Sequence, residues 1–497
     1  MKGRTGGGSN DKGLHKGAMG LLMIVALGVA SVAPAYSLTA SIGPMAGVIG
    51  EQLPAVIVLG FFPMLLVALG YRELNAESPD SGTSFTWTAK AFGPYMGWMA
   101  GWGLISANVI VLSNLAGVAV EFFYLSLSEI TGFSSLAALD ENVWVNIVTC
   151  MAFMAGAVWV SYRGTTITKA VLYTLVSMQV VVLGWYSLAA FTASGRKPAA
   201  EFSWSWFYPF EIPTFGALAA GLSLSIFLFW GWDVCLAVNE EAADNRRTPG
   251  RAATFTVMII LCLYLLVAVS SMQFAGLGKT GIGLANPNSE DSVLAEMAVP
   301  VMGPFAIFMS LAVLISSMAS LQSIYVAQAR TLLAMGHYRA LPERFKRVHP
   351  RFRSPDYATL AAGLSSGAFY ALMSLTSRHV LADTILTLGM MICFYYGLTA
   401  FACVFYFRRT IFLSVRKFLF RGLSPFLGGL LLLVVFVRTM MDSMDPSFGS
   451  GSAAFGIGLV FLLAVGIIAS GAILMLIMSW RRPSFFQCET LPRKRQF

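Results

Sequence analysis

Residues 215–251 read FGALAAGLSLSIFLFWGWDVCLAVNEEAADNRRTPGR, an apolar run that ends abruptly in charged residues. Its middle, residues 229–233, is FWGWD, in which a glycine separates two tryptophans and a carboxylate follows. Glycine is a poor helix former, and an ionisable side chain at the depth of a bilayer usually faces the bundle interior or a cavity. We therefore predict a discontinuous membrane helix whose break forms part of a binding site.

The composition is that of a polytopic membrane protein. Of the 497 residues, 57% are hydrophobic and only 11% are charged, whereas soluble domains carry about 25% charged residues. The 33 Lys and Arg outnumber the 24 Asp and Glu, an excess that we assign to loops that orient the chain rather than to nucleic acid binding. The six cysteines form no CxxC pair, and we find no HExxH, Walker loop or nucleophile elbow. We therefore expect no enzyme activity, no metal site and no cofactor beyond a coupling ion.

Twelve apolar segments are each long enough to cross a bilayer, which takes about 20 residues. The predicted spans are residues 18–48, 52–71, 94–125, 143–162, 170–191, 214–239, 252–275, 301–328, 357–376, 380–407, 422–441 and 454–480. The chain then divides into a disordered cytoplasmic tail (1–17), spans one to five (18–191), spans six to ten (214–407), spans eleven and twelve (408–480) and an unstructured cytoplasmic tail (481–497). We identify no cleavable signal peptide.

Basic residues predict the orientation of these spans. With the N-terminus inside, the segments that would face the outside contain only Arg196, Lys197, Lys279, Arg378 and Arg438. Basic residues concentrate in cytoplasmic loops, and a missed or spurious span would reverse this bias downstream. We therefore expect both termini to be cytoplasmic, in a plasma (inner) membrane.

The first span also contains an interruption, at Pro34. Proline removes a backbone donor and clashes with the preceding turn, so a simple kink would explain it. However, spans one and six occupy corresponding positions if spans one to five and six to ten are two repeats. A matching pair of interrupted helices points to a transporter site. An odd number of spans in each repeat makes the repeats inverted.

Other polar residues lie within the apolar spans. Glu121 and Asp383 fall near the outer ends of spans three and ten, where they are either solvated at the surface or line an acidic outer vestibule that attracts a cation. Gln179 lies in span five, and Ser316 and Ser317 lie in span eight. Such residues either join neighbouring helices or line a cavity for an ion or a substrate.

Four blocks of the sequence resemble the amino acid–polyamine–organocation permeases, in the order and spacing of that family. They are residues 25–31 (VALGVAS), 73–82 (ELNAESPDSG), 227–251 and 334–355. The resemblance extends over about residues 17–480. It implies an all-α polytopic membrane protein of twelve transmembrane helices, with a LeuT-like 5+5 inverted-repeat fold and two accessory helices.

The chain departs from the usual family pattern at three places. Amino acid members usually have a GxG-type tripeptide at the break of span one, where this chain has PAY at residues 34–36. Many members carry a sodium-mimicking lysine where this chain has Gln179, and a glutamate where it has Asp233. Together these residues resemble the putrescine-importer branch.

These features predict alternating access around a site built from the two breaks, at Val32–Ser37 and Phe229–Asp233. The residues expected to contact substrate are Ala33, Pro34, Ala35, Tyr36, Ser37, Phe227, Trp230, Gly231, Trp232 and Asp233. A tryptophan face attracts an ammonium group, and a desolvated contact is worth about 2 kcal/mol. Asp233 would supply the counter-charge or take up a coupling proton, and Phe227 matches the gating aromatic residue of the family. Either tryptophan can be the one that faces the site.

The predicted function is secondary-active transport, most readily import, of a small organic amine, with a polyamine such as putrescine favoured. The coupling ion is a proton at Asp233, which we favour, or Na⁺ at Gln179, Ser316 and Ser317. An amino acid permease or exchanger of the same fold is the main alternative, and a nutrient sensor that does not transport is a remote one.

Two other classes fit the sequence poorly. A channel would need a filter-like repeated loop. A major-facilitator transporter would have a long loop between spans six and seven, where this chain has only about Glu240–Arg251. The expected partners are the small amine or amino acid and the lipid bilayer, with no nucleic acid, in a monomer or a homodimer.

Overall fold

The computed structural model describes residues 12–164, 168–192, 199–287, 292–376 and 378–493, most of which are helical. Ten helical segments in these ranges are long and apolar enough to cross a membrane. The protein is therefore a polytopic integral membrane protein. Arg196, Lys197 and the extreme ends of the two predicted tails lie outside the described residues.

The helices follow one another along the chain. They are α1 (Leu21–Val32), α2 (Pro34–Ile49), α3 (Leu53–Glu77), α4 (Ser84–Phe92), α5 (Pro94–Thr131), α6 (Val143–Arg163), α7 (Thr168–Thr192), α8 (Phe215–Leu228), α9 (Val234–Ala237), α10 (Thr248–Ala275), α11 (Val293–Met302), α12 (Ile307–His337), α13 (Asp356–Thr376), α14 (Arg378–Phe407), α15 (Val415–Lys417), α16 (Ser424–Asp442), α17 (Leu459–Arg481) and α18 (Pro483–Phe486). A small antiparallel pair, β1 (Ala453–Ala454) and β2 (Ile457–Gly458), lies between α16 and α17. The longer connections come after α7, α10, α12 and α16.

The predicted first and second spans form one helical stretch of 57 residues, Leu21–Glu77. At about 1.5 Å per residue such a stretch is much longer than a bilayer is thick, so it has to turn. Gly50, at φ 72°, lies at the end of α2 and allows the chain to turn into α3.

The predicted sixth span is represented by α8, which has only 14 residues, followed by a turn and the four-residue α9. It is too short to count among the ten long segments because the break predicted at residues 229–233 divides it. The full arrangement of twelve spans in two inverted repeats stays a prediction.

The interrupted helices occupy the centre of the bundle. Helix α1 packs against α10, α12 and α7, and α2 packs against α8 and α12. Around them α5 packs against α12 and α14, α3 against α10 and α16, and α14 against α16. Large apolar side chains on the outer surface, such as Leu364, Leu433 and Ile473, are exposed, as expected for helices that face lipid.

Both ends of the described chain pack on one face of the bundle. We call it the terminal face and define it by residues 12–19, 78–92, 238–247, 335–353 and 483–491. Lys12 and Leu14 are buried there, and so are Phe485, Phe486 and Leu491. The prediction of disordered tails is therefore wrong for these residues. In both tails, these side chains pack into the folded bundle and become buried.

Candidate functional site

The first break is a single residue wide. Ala33 has left-handed backbone angles (φ 53°, ψ 64°), which end α1, and Pro34 then occupies the first position of α2. Proline is well suited to that position, because its fixed φ matches a helix and its missing N–H would have no partner there. The Ser37 hydroxyl donates to the Val32 carbonyl at 2.7 Å and so satisfies part of the interrupted backbone.

The second break spans residues 229–233, between α8 and α9. Gly231 has φ 105°, a conformation that side chains with a Cβ rarely adopt. The Tyr264 hydroxyl donates to the carbonyl of Leu228, the last residue of α8, at 2.8 Å. A glycine and a buried tyrosine thus allow the helix to stop inside the bundle without leaving its last turn unpaired.

The two breaks meet. A Cβ placed on Gly231 would lie 3.0 Å from the carbonyl oxygen of Ser31, just before the break in α1. That same carbonyl accepts a hydrogen bond of 2.7 Å from Ser320 on α12. The predicted pair of interrupted helices is therefore brought together at one place in the structure, with α12 as a third wall.

Asp233 lies at the C-terminal end of the second break and is only 5% exposed. Its Oδ2 accepts a hydrogen bond of 3.2 Å from the Tyr395 hydroxyl, which in turn accepts one of 2.6 Å from Trp230 Nε1. Among the described residues, no Lys, Arg or His forms an ion pair with Asp233. A buried carboxylate of this kind calls for a proton or an external cation.

Trp232 is enclosed by tyrosines. Its ring lies 5.0 Å from that of Tyr396 in a stacked arrangement and 5.1 Å from that of Tyr71 in an edge-on one. The rings of Tyr71 and Tyr396 are themselves 5.6 Å apart. Both tryptophans of the FWGWD turn are thus buried, but only Trp230 is hydrogen bonded into the group around Asp233.

Tyr36 and Phe227 connect the other halves of the broken helices. Their rings meet edge to face with centroids 6.2 Å apart, so that α2 and α8 touch directly above the breaks. The sequence predicted both residues as part of the site, and the structure places them against each other. Ala35 and Ser37, in the first turn of α2, are buried beside them.

The candidate coupling-ion residues form a separate polar group. Ser316 donates to Oε1 of Gln179 at 2.7 Å, which joins α12 to α7. The Gln179 amide nitrogen and the Ser317 hydroxyl are buried without a hydrogen-bond partner in the part of the chain that the structure describes. No hydrogen bond connects these residues to Asp233 within that part. Ser320, one turn further along α12, is the residue that reaches the first break.

Of the two predicted vestibule carboxylates, Asp383 is tied to a loop outside the site. Asp383 is 1% exposed and accepts hydrogen bonds from the backbone and the hydroxyl of Ser450, at 2.9 and 2.6 Å. It therefore anchors the loop between α16 and α17 instead of facing an open vestibule, which corrects that prediction. Glu121 is half-buried on α5 and has interactions of its own.

Three residues at the site were missed by the sequence analysis: Tyr71, Tyr395 and Tyr396. The adjacent tyrosines in the middle of an apolar span are a signal that could have been used, since a buried hydroxyl needs a partner. No group of three or more His, Cys, Asp or Glu in the described ranges could hold a metal ion.

Comparisons with known proteins agree with this architecture. The model of a family described as amino acid permease matches residues 19–465. An uncharacterized transporter of Mycobacterium tuberculosis is 26% identical over 355 residues, covering 71% of this chain and 73% of the relative. The low-affinity putrescine importer PlaP of Escherichia coli is 23% identical over 454 residues, covering 90% and 92%. The branched-chain amino acid permease BcaP of Lactococcus lactis is 24% identical over 326 residues, covering 61% and 64%.

Proposed function

Because the chain belongs to the amino acid permease family, we propose that it is a secondary-active permease that imports a small organic amine, with putrescine or a related polyamine as the favoured substrate. Transport proceeds by alternating access around the two breaks, in the twelve-helix LeuT-like arrangement of inverted repeats. Both termini are cytoplasmic and the membrane is the plasma (inner) membrane, as the distribution of basic residues favours.

The observation that carries this proposal is the environment of Asp233. Its carboxylate is buried, is held by Tyr395 and has no protein cation beside it among the described residues. Aromatic side chains extend from it: Tyr395 bonds both Asp233 and Trp230, and Tyr395 also contacts Tyr396, whose ring stacks on Trp232. A carboxylate framed by aromatic rings suits an alkylammonium ion, which is attracted by the charge and by the ring faces.

The relatives support the same class of substrate. PlaP, which imports putrescine, aligns over nearly the whole chain. A diamine has one ammonium group for Asp233, while its second end extends toward Tyr36 and Phe227 between α2 and α8.

An amino acid is the second candidate, because the first turn of α2 supports it. The opening N–H groups of a helix have no intrahelical partner and bind carboxylates, and Ala35 and Tyr36 lie in that turn. BcaP, a branched-chain amino acid permease, is a relative of this chain. An amino acid would place its carboxylate at α2 and its ammonium group at Asp233.

Coupling to a proton is the favoured mode. Protonated Asp233 would no longer attract an ammonium group, so the proton and the amine would bind in competition. The alternative is Na⁺ at Gln179, Ser316 and Ser317, where the buried Ser317 hydroxyl has no hydrogen-bond partner in the described part of the chain.

Uptake into proteoliposomes tests these proposals. The purified protein is assayed with labelled putrescine, spermidine and a panel of amino acids, with imposed proton or sodium gradients. Because the proton and the amine compete for Asp233, we expect putrescine uptake to be driven by a proton gradient in the opposite direction, with an acidic vesicle interior. Preferred uptake of an amino acid would select the second candidate, and saturable binding without flux would identify a sensor.

The decisive variant is Asp233→Asn, which keeps the shape and removes the charge. We expect putrescine uptake to fall by about thirtyfold or more, since truncating one partner of a buried charge pair costs about 2–5 kcal/mol. The exposed Asp445→Asn serves as the matched control and is expected to transport normally. Unchanged uptake with unchanged pH dependence in Asp233→Asn would remove Asp233 from the mechanism.

A further inference from the structure

Lys12 is a lysine whose ammonium group is completely enclosed on the terminal face. Its Nζ lies 2.9 Å from Asp80 Oδ1, 2.6 Å from Glu240 Oε1 and 3.1 Å from Ser81 Oγ, and its side chain has no exposed surface. The ring of Tyr338 lies beneath it, with its centroid 5.5 Å away. Lysine is rarely buried in this way unless its charge is fully paired.

The number of partners matches a primary ammonium group. Such a group has three N–H donors, and three oxygen atoms, from Asp80, Ser81 and Glu240, accept from it. A quaternary ammonium ion has no donor to offer them, and a planar guanidinium presents its donors in a different geometry.

The walls of this site are held together by bonds that do not involve Lys12. The second oxygen of Asp80 accepts from the Tyr338 hydroxyl, and its first accepts from the Gly82 backbone at 2.8 Å. The Glu240 carboxylate also accepts from the Ser81 backbone at 3.0 Å. The site is thus built from the α3–α4 loop, the end of the sixth predicted span and the end of α12.

Both members of the central pair are charged at neutral pH. Burial lowers the pKa of Lys12, but Asp80 and Glu240 raise it more, so that it lies above its ordinary value. Burial raises the pKa of Asp80, but Lys12, Lys90 and the hydrogen bond from Tyr338 lower it more, so that it lies below its ordinary value.

Lys12 is tied to the helix that carries the first break. The Met19 N–H donates to the Glu241 carbonyl at 3.1 Å, and the Ala243 N–H donates to the Met19 carbonyl at 2.9 Å. The Glu241 carboxylate also pairs with Arg330 of α12. Residues 12–19 therefore form a strap that runs from the ammonium site to the start of α1 and is bonded to Glu240, Glu241 and Ala243.

We propose that Asp80, Ser81, Glu240 and Tyr338 form a binding site for a primary alkylammonium ion, which Lys12 fills as a ligand tethered to the chain and which a free primary amine fills when the strap is displaced. With Lys12 in place the strap closes the terminal face over the inner ends of α1 and α9. A free amine competes with Lys12 and favours the state in which the strap is released from residues 240–243. This inference does not depend on the proposed substrate.

The test measures how fast a polar maleimide labels a cysteine that is placed beneath the strap. Ala242, which is buried next to Met19, is replaced by Ala242→Cys in the full chain, with Cys262→Ser and Cys488→Ser removing the two native cysteines that are not buried. Asp233→Asn is included so that an amine cannot act through the central site. The purified protein in detergent is labelled with a polar maleimide in the presence of butylammonium or tetramethylammonium chloride at equal ionic strength.

We expect butylammonium at about ten times its dissociation constant to raise the labelling rate about tenfold, because a ligand that binds only the displaced state shifts the equilibrium by a factor of about one plus the ratio of the amine concentration to its Kd. Tetramethylammonium should leave the rate unchanged, and Asp80→Asn should abolish the difference between the two ions. Equal rates with the two ions in the chain that retains Asp80 would overturn the proposal.

Lys12→Ala provides a second arm. Removing the tether should raise labelling without any amine, and butylammonium should then raise the thermal unfolding midpoint by filling the vacant site. His15→Ala, which alters an exposed residue of the same strap, should behave like the parent. If butylammonium stabilises Lys12→Ala no more than tetramethylammonium does, the site does not bind a free amine. If Lys12→Ala does not fold, the labelling experiment with the two ions in the protein that retains Lys12 still tests the proposal.

Discussion

Gly231 allows the two interrupted helices to touch. Its φ of 105° lies in the region that residues with a Cβ avoid, and Ser31 occupies the space where that Cβ would go. Backbone freedom and close packing thus act at the same residue. The FWGWD turn depends on glycine for both reasons, since only glycine accepts the angle and the contact together.

Gly231→Ala should therefore destabilise the protein by about 2 kcal/mol or more, because the new methyl group is strained by φ and meets the Ser31 carbonyl. Thermal unfolding of the purified variant in detergent measures this. Gly466→Ala is the control, because Gly466 is a helical glycine in α17 with open space around it. A loss of stability no larger in Gly231→Ala than in Gly466→Ala would contradict this account.

Tyr395 links Trp230 to Asp233, so its hydroxyl should matter for substrate affinity. Tyr395→Phe removes a hydrogen bond to a charged group, worth about 1.5–3 kcal/mol, and should raise the KM for uptake by about tenfold or more. Tyr186→Phe is the matched control, since its buried hydroxyl bonds to Ser271 away from the site. If Tyr395 had only a structural role, Tyr395→Phe and Tyr186→Phe would lose similar stability and would have the same KM. That result would contradict the prediction.

For single residues, the sequence identifies those whose presence in a membrane helix costs free energy. Gly231 and Asp233 stand out because neither belongs in an apolar helix without a reason. Tyr395 and Tyr396 stand out less, because a tyrosine hydroxyl in an apolar span indicates that a partner is needed without indicating which residue that partner is. That partner, Asp233, is far away in sequence and is found only in the folded chain.

The break between α1 and α2 shows how an element is shaped by its ends. Pro34 marks the position in the sequence, but the conformational cost lies on Ala33, which takes the left-handed backbone angles. Each residue has its own role, since Ala33 ends α1 and Pro34 begins α2. The sequence predicted a break over Val32–Ser37, whereas the structure confines it to Ala33, with α2 beginning at Pro34.

Ala33→Gly should stabilise the protein by about 0.5–1 kcal/mol, because glycine adopts the left-handed region without strain. Ala30→Gly, three residues earlier and inside α1, should instead destabilise it by about 1 kcal/mol through its low helix propensity. Comparing the unfolding midpoints of the two variants checks the opposite signs. A decrease of similar size in both would mean that Ala33 is not strained.

In the molecule as a whole, both ends of the described chain pack on the terminal face. Phe485 stacks on Phe85 with ring centroids 5.3 Å apart, and Phe486 and Leu491 fill the same cluster beside Trp98 and Met335. This cluster is separate from the main core. The C-terminal segment therefore packs against α4 and α5 and is part of the folded structure.

Phe485→Ala should lower the free energy of unfolding by about 3–5 kcal/mol, as expected when a buried phenylalanine leaves a cavity. Phe455→Ala, at a residue that is 97% exposed, should have little effect. Unfolding measurements on the two variants in detergent make the comparison. Equal stability would restore the prediction of an unstructured tail.

The membrane class and most long helices were predictable from composition and length, because lipid imposes simple requirements on every span. The packing of the tails was not, since it depends on single side chains such as Lys12 and Phe485 in otherwise polar segments. The role of Asp383 was missed for a similar reason: its partner, Ser450, lies on a loop whose path the sequence does not specify.

The bond between Asp233 and Tyr395 also has a consequence for biosynthesis. The two residues are 162 positions apart, so a ribosome delivers the carboxylate to the membrane long before it delivers the tyrosine. Until α14 is inserted, an ionised Asp233 has no donor from that helix and is costly in lipid. The FWGWD turn should therefore settle into the bilayer late, after the tenth predicted span has emerged, although it is made in the first half of the chain.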